Sequence, residues 1–445
     1  MSTLEVVGGR VLRPDATVER ADVRADRETG EIVAVGDATG ADGGIGSDET
    51  GSGEADTLDA SGCLVIPGLV NAHTHVAMTL LRGYADDEPL DRWLREDVWP
   101  VEAELVPADV RAGAELGILE MIRSGTTAFS DMYFHAPEIA GAVEDAGVRA
   151  RLGHTAITVG KDEEAAHADV EASIEFAREY DGTAGGRVQT SVQPHSLTTV
   201  SETHLASLAA GAREHGLPLH YHANETVDEV EPIVEEYGKR PLEYADERGL
   251  LEESAFLAHG VHLDEREIDL LAERGTAVIH CPASNMKLAS GAAGIQRLLD
   301  AGVEVGIGTD GAASNNDLSM FDELRDAAML GKLAAADASA VPAATAVEMA
   351  TAGGARAMGL GSGRIEPGAN ADLAVVDFDT PHLTPVHDPV SHLAYAVSGS
   401  DVRHTVCDGE VLMRDREVLT LDAERVCEEA GERAAALVER AERAK

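Results

Sequence analysis

Two histidines separated by one residue follow an apolar run in "LVIPGLVNAHTHVAM", which covers residues 64–78. In an extended segment, residues i and i+2 project from the same face, so His73 and His75 point the same way. Two imidazoles on one face can provide two ligands for a metal ion, or they can share a polar patch. The rest of the chain must distinguish between these interpretations.

Other histidines and carboxylates occupy the same position relative to later apolar runs. Asp131 lies in the second run and His154 in the third, and the titratable residues that end or follow the later runs are His195, His220, His222, Glu225, His259, His280 and Asp310. A lone histidine would more often be structural, but this many at matching positions indicate a common site.

The elements that carry these residues are eight short apolar runs separated by longer stretches rich in Ala, Glu and Leu. The runs are "CLVIPGLVNAHTH", "GTTAFSDMYF", "VRARLGHTAI", "RVQTSVQPHS", "LPLHYHANE", "AFLAHGVHL", "TAVIHCPASN" and "VEVGIGTDG". Such runs predict strands and the stretches between them predict helices. The alternation predicts an α/β protein with a (β/α)8 TIM barrel, whose site lies at the carboxyl ends of the strands.

Strand-rich segments flank the predicted barrel and are expected to join into a small β-sandwich domain. We expect residues 1–65 to form its first part, 66–363 the barrel, and 364–445 its second part together with a C-terminal helix. That acidic helix is expected to pack on the chain or to form an oligomer contact, so a homo-oligomer stays open.

The predicted metal ligands are His73, His75, His222 and Asp310. Three imidazoles and one carboxylate suit Zn²⁺, with Fe²⁺ as the second choice, and leave an open position for water. His220 shares a face with His222, and spacing alone does not decide which of them is a ligand. The fourth run lacks the lysine that bridges two ions in barrels of this kind, which favours one divalent metal per subunit.

The assembled motifs resemble those of the amidohydrolase superfamily over nearly the whole chain. The motifs are "PGLVNAHTH", "HYHANE", "LAHGVHL", "HCPASNMKL" and "GIGTDGAASNN". The segment "MTLLRGYADDEPLDRWLREDVWPVEAEL" is similar to the one that follows the first strand in the 5'-methylthioadenosine/S-adenosylhomocysteine deaminases. The resemblance implies hydrolytic deamination of 5'-substituted adenosines to the inosine analogue and ammonia.

The same resemblance implies roles for five residues. Glu102 would hold the ribose hydroxyls, and His195 would contact the substrate. Glu225 would protonate N1 of the adenine ring, Asp310 would accept the proton of the attacking water, and His259 would orient that water. Glu225 and Asp310 would thus also bind substrate. A helix-surface charge is the alternative for Glu102.

The 5' group remains open among methylthioadenosine, S-adenosylhomocysteine, adenosine and 5'-deoxyadenosine. Some relatives supply arginines for the homocysteine carboxylate after the third strand, whereas "RLGHTAITVGKDEEAAHADVE" contains only Arg151. We therefore expect a neutral 5' group. The alternatives are guanine or cytosine deamination, triazine dechlorination and, in a different class, a non-catalytic barrel scaffold. The intact set of metal-binding residue types argues against the scaffold.

The net charge and the first residues of the chain restrict the expected binding partners and the expected cellular compartment. The net charge of -46, from 81 acidic and 35 basic residues, disfavours nucleic-acid and anionic-membrane partners and leaves a small-molecule nucleoside. The first residues lack a signal-peptide pattern, and no apolar run approaches the roughly 20 residues that span a bilayer. The four cysteines form no C-x-x-C pair and are expected to be reduced and buried. We expect a soluble, cytoplasmic protein of a salt-accumulating halophile.

We predict that molar salt stabilises the fold. Self-repulsion of the acidic surface weakens as the Debye length falls from about 10 Å at 0.1 M salt to about 3 Å at 1 M. The melting temperature should therefore rise with KCl concentration in thermal unfolding experiments. An unchanged melting temperature in dilute buffer would contradict this prediction.

Overall fold

The computed structural model describes residues 3–36 and 56–444. The first seven strands are β1 (Thr3–Val7), β2 (Arg10–Leu12), β3 (Val18–Arg20), β4 (Asp22–Asp26), β5 (Glu31–Gly36), β6 (Asp56–Asp59) and β7 (Cys63–Pro67). The middle strands are β8 (Leu69–Thr74), β9 (Thr126–Tyr133), β10 (Arg149–Ala156), β11 (Val188–Thr190), β12 (Gln193–Pro194), β13 (His220–Ala223), β14 (Phe256–His259), β15 (Ala277–His280) and β16 (Val305–Ile307). The last four are β17 (Leu373–Asp377), β18 (Val402–Cys407), β19 (Glu410–Arg414) and β20 (Glu417–Val418).

Helices lie in most intervals between the middle strands and also after the last of them. They are α1 (Leu90–Arg92), α2 (Trp99–Glu102), α3 (Pro107–Arg123), α4 (Ala136–Ala146), α5 (Glu163–Tyr180), α6 (Glu202–His215), α7 (Val227–Tyr237), α8 (Pro241–Asp246), α9 (Glu265–Arg274), α10 (Pro282–Lys287), α11 (Ile295–Asp300), α12 (Met320–Ala335), α13 (Ala343–Glu348), α14 (Gly354–Ala357), α15 (Pro389–Tyr395) and α16 (Ala423–Ala444). Local sequence explains many boundaries: α9 begins after Asp264, whose side chain accepts a hydrogen bond from Glu267 N, and ends at Gly275 in the left-handed region.

The middle strands form two parallel sheets. One has the order β11-β10-β9-β8, with β12 also paired to β10, and the other has the order β13-β14-β15-β16. The eight predicted runs all contain strands, but the first run is divided between β7 and β8. Gly68 lies at the division, where a Cβ atom would stand 2.1 Å from Thr127 Oγ1. A glycine is therefore required for the chain to pass this close to β9.

The two parallel sheets adjoin at both edges. Isolated parallel bridges connect Val192 with Leu219 and Ser196 with His222, between β12 and β13. On the other side, the backbone N–H of Asp310 donates to the carbonyl of His73 over 3.0 Å, which connects the segment after β16 to β8. The carboxyl ends of the strands consequently lie at one end of the molecule, and the predicted polar residues lie there with them.

The terminal strands form two further sheets, of orders β5-β4-β1-β6 and β20-β19-β18-β17-β7-β2-β3. Segments from both parts of the chain meet where β7 pairs with β17. Strands β1 and β4 alternate buried and partly buried residues, as expected when one face is covered. One apolar cluster contains side chains from both sheets, including Val6, Val65 and Val375.

Helix α16 packs against α2 and α3. Arg440 hydrogen-bonds to the buried carboxylate of Asp109, and Arg425 donates to Glu115 over 2.9 Å. Cys427 on this amphipathic helix is exposed, so the prediction that all four cysteines are buried was wrong for that residue. Among the described helices, none is long and apolar enough to cross a membrane.

A buried ion pair fastens the parallel strands to the terminal sheets. Arg149, on β10, donates from Nε and Nη2 to the carboxylate of Asp372 over 3.1 and 3.3 Å. Asp372 precedes β17 and also accepts hydrogen bonds from Ser362 Oγ and Asp408 N. The buried carboxylate is therefore compensated from several directions, which buried charges require.

We predict that Arg149→Met lowers the free energy of unfolding by about 3–5 kcal/mol, because it leaves the Asp372 carboxylate without its cation in a buried setting. Arg178→Met is the matched control, since Arg178 pairs with Glu179 on the exposed side of α5. The control substitution should lower the free energy of unfolding by about 1 kcal/mol or less. Urea titrations of both variants measure the difference, and equal losses would contradict the prediction.

Candidate metal and active site

The four predicted ligands come together at the carboxyl ends of the strands. One donor atom from each of His73, His75, His222 and Asp310 lies within 4.8 Å of the others. Asp310 Oδ1 is 3.5 Å from His73 Nε2 and 3.1 Å from His75 Nε2. The Nε2 atoms of His75 and His222 are 3.3 Å apart.

This donor set fits a divalent metal. His73 is fully buried, and its Nε2 atom has no hydrogen-bond partner. A buried imidazole nitrogen without a partner is costly unless something else fills that place. Three nitrogens and one carboxylate oxygen directed at one point are the donors that Zn²⁺ and Fe²⁺ take in proteins.

Backbone carbonyls orient two of the three imidazoles. Nδ1 of His75 and Nδ1 of His222 each lie 2.6 Å from a carbonyl oxygen, those of Met132 and His195 respectively. Because a carbonyl only accepts, both Nδ1 atoms carry hydrogen, and Nε2 of a neutral ring keeps its lone pair. Burial lowers the pKa of His222 well below its usual value, which keeps that ring neutral.

His73 is oriented by another histidine. Its Nδ1 lies 2.8 Å from Nε2 of His220, and burial lowers the pKa of His73 to about 4. Spacing alone left His220 and His222 equivalent as ligands. The structure places His222 in the donor set and His220 behind His73.

Two serines hold the carboxylate of Asp310. Ser284 Oγ and Ser314 Oγ donate to Oδ2 over 2.6 and 2.7 Å, which leaves Oδ1 facing the histidines. Burial alone would raise the pKa of Asp310, but the adjacent rings of His73 and His75 hold it well below the usual value. Both serines lie in motifs that the sequence made conspicuous, "HCPASN" and "DGAASNN", yet nothing in the spacing assigned them a role.

A second donor set shares His73 and adds His259 and Cys281. Burial raises the pKa of the Cys281 thiol well above its usual value. A protonated thiol is a poor ligand, because metals bind the thiolate. The set with Asp310 therefore suits a metal better. His280, the next residue in the chain, belongs to neither set.

Glu225 and His259 lie beside the donor set. Glu225 Oε2 is 3.7 Å from His259 Nε2, and Ser290 Oγ donates to Glu225 Oε1 over 3.4 Å. Burial raises the pKa of Glu225, so the carboxyl retains its proton more readily than an exposed glutamate. His259 Nδ1 lies 3.0 Å from Asn285 Oδ1, which orients the ring. Sequence reasoning missed Ser290 and Asn285.

Three non-glycine residues of the site adopt left-handed backbone conformations. Asn224, His259 and Asp310 have φ angles of 55°, 74° and 60°. Such conformations cost on the order of 1–3 kcal/mol each and concentrate at functional sites. Gly308 must lack a side chain for a steric reason, since a Cβ atom there would stand 2.7 Å from the backbone of His73. The strand ends are thus shaped to aim side chains at one point.

The two residues expected to contact substrate lie near the donor set, Glu102 through Tyr133, whose ring centroid is 6.4 Å from that of His75. Glu102, at the end of α2, is partly buried and accepts a 2.6 Å hydrogen bond from Tyr133 Oη. Burial raises the pKa of Glu102 to about 7, which disfavours its interpretation as a solvated surface charge. The ring of His195 lies 4.8 Å from that of His222, centroid to centroid. Sequence reasoning did not predict the role of Tyr133.

The two tryptophans of the chain, Trp93 and Trp99, lie in different environments. Trp93 is buried and donates from Nε1 to Ala85 O over 3.1 Å, as a core residue would. Trp99 is partly buried, with the guanidinium of Arg95 5.7 Å from its ring centroid.

Comparisons with known proteins agree with this geometry. The model of the amidohydrolase family matches residues 64–412, and the chain belongs to that family. It is 68% identical over 441 residues to the 5-methylthioadenosine/S-adenosylhomocysteine deaminase of Haloarcula marismortui, covering 99% of this chain and 100% of that protein. It is 46% identical over 387 residues to the 5'-deoxyadenosine deaminase of Methanosarcina mazei, covering 87% and 89% respectively.

Among solved structures, the chain resembles a crystal structure of an adenosine deaminase from Xanthomonas campestris with bound zinc. The TM-score is 0.90 at 36% sequence identity, and the match covers 98% of this chain and 99% of that one. A neighbour that carries zinc and shares this fold agrees with the metal fit of the donor set.

We predict that His75→Ala reduces the zinc content below one ion per chain, because it removes one of four donors and the carbonyl-oriented ring. Elemental analysis after reloading and desalting measures the content. His167→Ala is the control, since His167 lies on the exposed face of α5. The control should bind zinc as the unaltered protein does. Equal zinc contents in both variants would contradict the proposed ligand.

Proposed function

We propose that the protein is a metal-dependent hydrolase that deaminates 5'-substituted adenosines to the inosine analogue and ammonia. The observation that carries the proposal is the convergence of a four-donor metal set, a buried glutamate of raised pKa and a second glutamate on α2 that Tyr133 of β9 binds. The deaminases to which the chain is similar over almost its full length support the same reaction.

The fold supports this proposal when the two parallel sheets are taken together. We propose that they form one closed (β/α)8 barrel, since their edges adjoin on both sides. The two terminal sheets, which share an apolar cluster, would form the β-sandwich. The corresponding domains are residues 1–65, 66–363 and 364–445, with α16 attached to the barrel helices α2 and α3.

One divalent metal is proposed, Zn²⁺ first and Fe²⁺ second, with His73, His75, His222 and Asp310 as its ligands. When bound, such a metal lowers the pKa of water and so supplies hydroxide at neutral pH. The neutral state of the buried His222 and the ionised state of Asp310 are the forms in which these side chains bind a cation.

The remaining residues divide the proton transfers between them. Glu225 is held protonated by burial and donates to N1 of the adenine ring as C6 becomes tetrahedral. Asp310 accepts the proton of the attacking water, and His259, oriented by Asn285, directs that water. Glu225, deprotonated by that step, takes up the remaining hydrogen of the hydroxyl on C6 as the C6 carbonyl forms. Asp310 passes the proton that it accepted to the amino group, which leaves as ammonia. Such acid–base steps typically contribute about 10²–10⁴-fold.

Glu102 and His195 would hold the nucleoside. A carboxylate offers two acceptor oxygens to the vicinal ribose hydroxyls, and the Tyr133 hydroxyl fixes one of them in place. His195, with Nδ1 held 3.0 Å from Thr199 Oγ1, would contact the substrate through the other ring nitrogen. The substrate would thus be gripped at the sugar while the base faces the metal set.

The cations near the third strand do not favour a free carboxylate on the 5' group. Arg151 is buried and donates to the carbonyls of Met358 and Thr190. Lys161 pairs with Asp169. Both cations of that segment are therefore already compensated. We propose a neutral 5' group, as in methylthioadenosine, adenosine or 5'-deoxyadenosine, ahead of S-adenosylhomocysteine.

The second candidate is another reaction of the same family, such as deamination of guanine or cytosine or dechlorination of a triazine. These substrates carry no ribose, so they would not need Glu102. A non-catalytic scaffold is the candidate of a different class. It does not explain the oriented imidazoles or the left-handed backbone at three strand ends.

We predict that the zinc-loaded protein deaminates the neutral 5'-substituted adenosines with a higher kcat/KM than S-adenosylhomocysteine. We also predict that Glu102→Gln lowers kcat/KM by roughly tenfold to a hundredfold, because hydrogen bonds to a charged acceptor contribute about 1.5–3 kcal/mol. Steady-state assays at high salt measure the rates, with guanine and cytosine in the same panel.

The outcomes separate the candidate functions. Turnover of guanine or cytosine alone, insensitive to Glu102→Gln, would favour the second candidate. A zinc-loaded protein that acts on none of these compounds would contradict the proposed deaminase. Preference for S-adenosylhomocysteine would contradict the argument from Arg151 and Lys161 while leaving the reaction intact.

A further inference from the structure

His220 has contacts that define a role for a residue that spacing left open. Its side chain is fully buried on β13. Nε2 lies 2.8 Å from His73 Nδ1, and Nδ1 lies 2.9 Å from the carbonyl oxygen of Phe256. The ring also stacks on that of Phe256, with centroids 4.1 Å apart and an interplanar angle of 15°. Stacking and two hydrogen bonds together fix both the position and the orientation of the ring.

The Phe256 carbonyl determines the direction of both hydrogen bonds of His220. The Phe256 carbonyl can only accept, so Nδ1 of His220 carries hydrogen. A neutral imidazole has one donor nitrogen and one acceptor nitrogen, so Nε2 of His220 accepts from His73 Nδ1. The same rule leaves Nε2 of His73 without hydrogen. That atom is the buried nitrogen that lacks a hydrogen-bond partner and faces Asp310.

His73 differs in this respect from the other two imidazoles of the donor set. His75 and His222 are oriented by main-chain carbonyls, whereas the Nδ1 of His73 faces a side chain of the other parallel sheet. A carbonyl enforces one tautomer unconditionally. A histidine does so only while its own Nδ1 donates to another acceptor. For His220 that acceptor is the Phe256 carbonyl.

We propose that His220 is a positioning residue that fixes the Nδ1–H tautomer of His73 and thereby prepares His73 Nε2 as a metal ligand. This inference rests on the metal site of the proposed function. Without an acceptor at His220, the hydrogen on His73 Nδ1 is left unsatisfied or moves to Nε2, where it blocks the metal. Partners of this kind typically contribute 10–100-fold to metal affinity.

Two variants separate this role from simple packing. His220→Phe keeps an aromatic ring that can stack on Phe256 but removes the acceptor. His220→Gln loses the ring but places an amide oxygen near the former position of Nε2. Zinc affinity, measured by competition with a chromogenic chelator, should fall about 10–100-fold in His220→Phe and recover largely in His220→Gln.

His280→Phe is the matched control. His280 is also a fully buried histidine on a strand of the same sheet, and within the described residues its ring nitrogens have no hydrogen-bond partner. Its replacement should leave zinc affinity unchanged. A similar loss in this control would show that any change of a buried histidine disturbs the site, and it would overturn the specific role of His220.

A second measurement does not depend on the phenylalanine variant folding. Long-range ¹H–¹⁵N spectra of the zinc-loaded, histidine-labelled protein, with His220 assigned from His220→Gln, report the tautomers directly. Hydrogen on Nδ1 of both His73 and His220 is expected, and hydrogen on Nε2 of either ring overturns the proposal. Equal zinc affinity in the unaltered protein and His220→Phe also overturns it.

These experiments use no substrate, so they are independent of the reaction. A protein that binds zinc through the expected tautomers but deaminates nothing supports the role of His220 and contradicts the proposed deaminase. A protein that binds no zinc overturns both the metal site and the role of His220.

Discussion

The proposed metal site depends on one constraint, which is that each imidazole of the donor set must bind in its neutral form, with its hydrogen on the nitrogen that faces away from the set. Water could satisfy that nitrogen on a surface, but here the rings are buried and the acceptors must come from the chain. Met132, His195 and, through His220, Phe256 provide them. The strands that supply ligands and the strands that supply acceptors must therefore keep their register to within a fraction of an ångström.

Unfavourable backbone conformations accompany that register at the strand ends. The left-handed conformations of Asn224, His259 and Asp310 lie directly at or after the ends of β13, β14 and β16. They persist because neighbouring contacts outweigh them. Asn224, for example, donates to the buried carboxylate of Glu267, which also binds Arg240. Stability in the surrounding helices thus supports unfavourable backbone geometry at the strand ends.

Much of this arrangement could be predicted from the sequence. Strands buried on both faces appear as continuous apolar runs, and polar residues at their ends stand out against them. For the same reason the pattern could not reveal that the first run changes sheet at Gly68, because both halves are equally apolar. Period-two spacing likewise placed His220 and His222 on one face, and only the packing of His73 against His220 distinguishes them.

The supporting residues could not be predicted because lateral contacts leave no trace in spacing. Tyr133, on β9, reaches Glu102 on α2, and Asn285 reaches His259 from the helix after the next strand. Hydroxyls and amides of this kind are common everywhere in a chain. Nothing distinguishes the few that hold a catalytic group until the strands are placed side by side.

The attachment of α16 has a consequence for how the chain matures during synthesis. Arg440 binds Asp109, 331 residues earlier, and also donates to the carbonyl of Glu104, two residues after Glu102. The segment that carries Glu102 is therefore held by a helix that leaves the ribosome long after β16. A nascent chain can bring the residues of the donor set together first, and the segment that carries Glu102 acquires this support only when α16 emerges and docks.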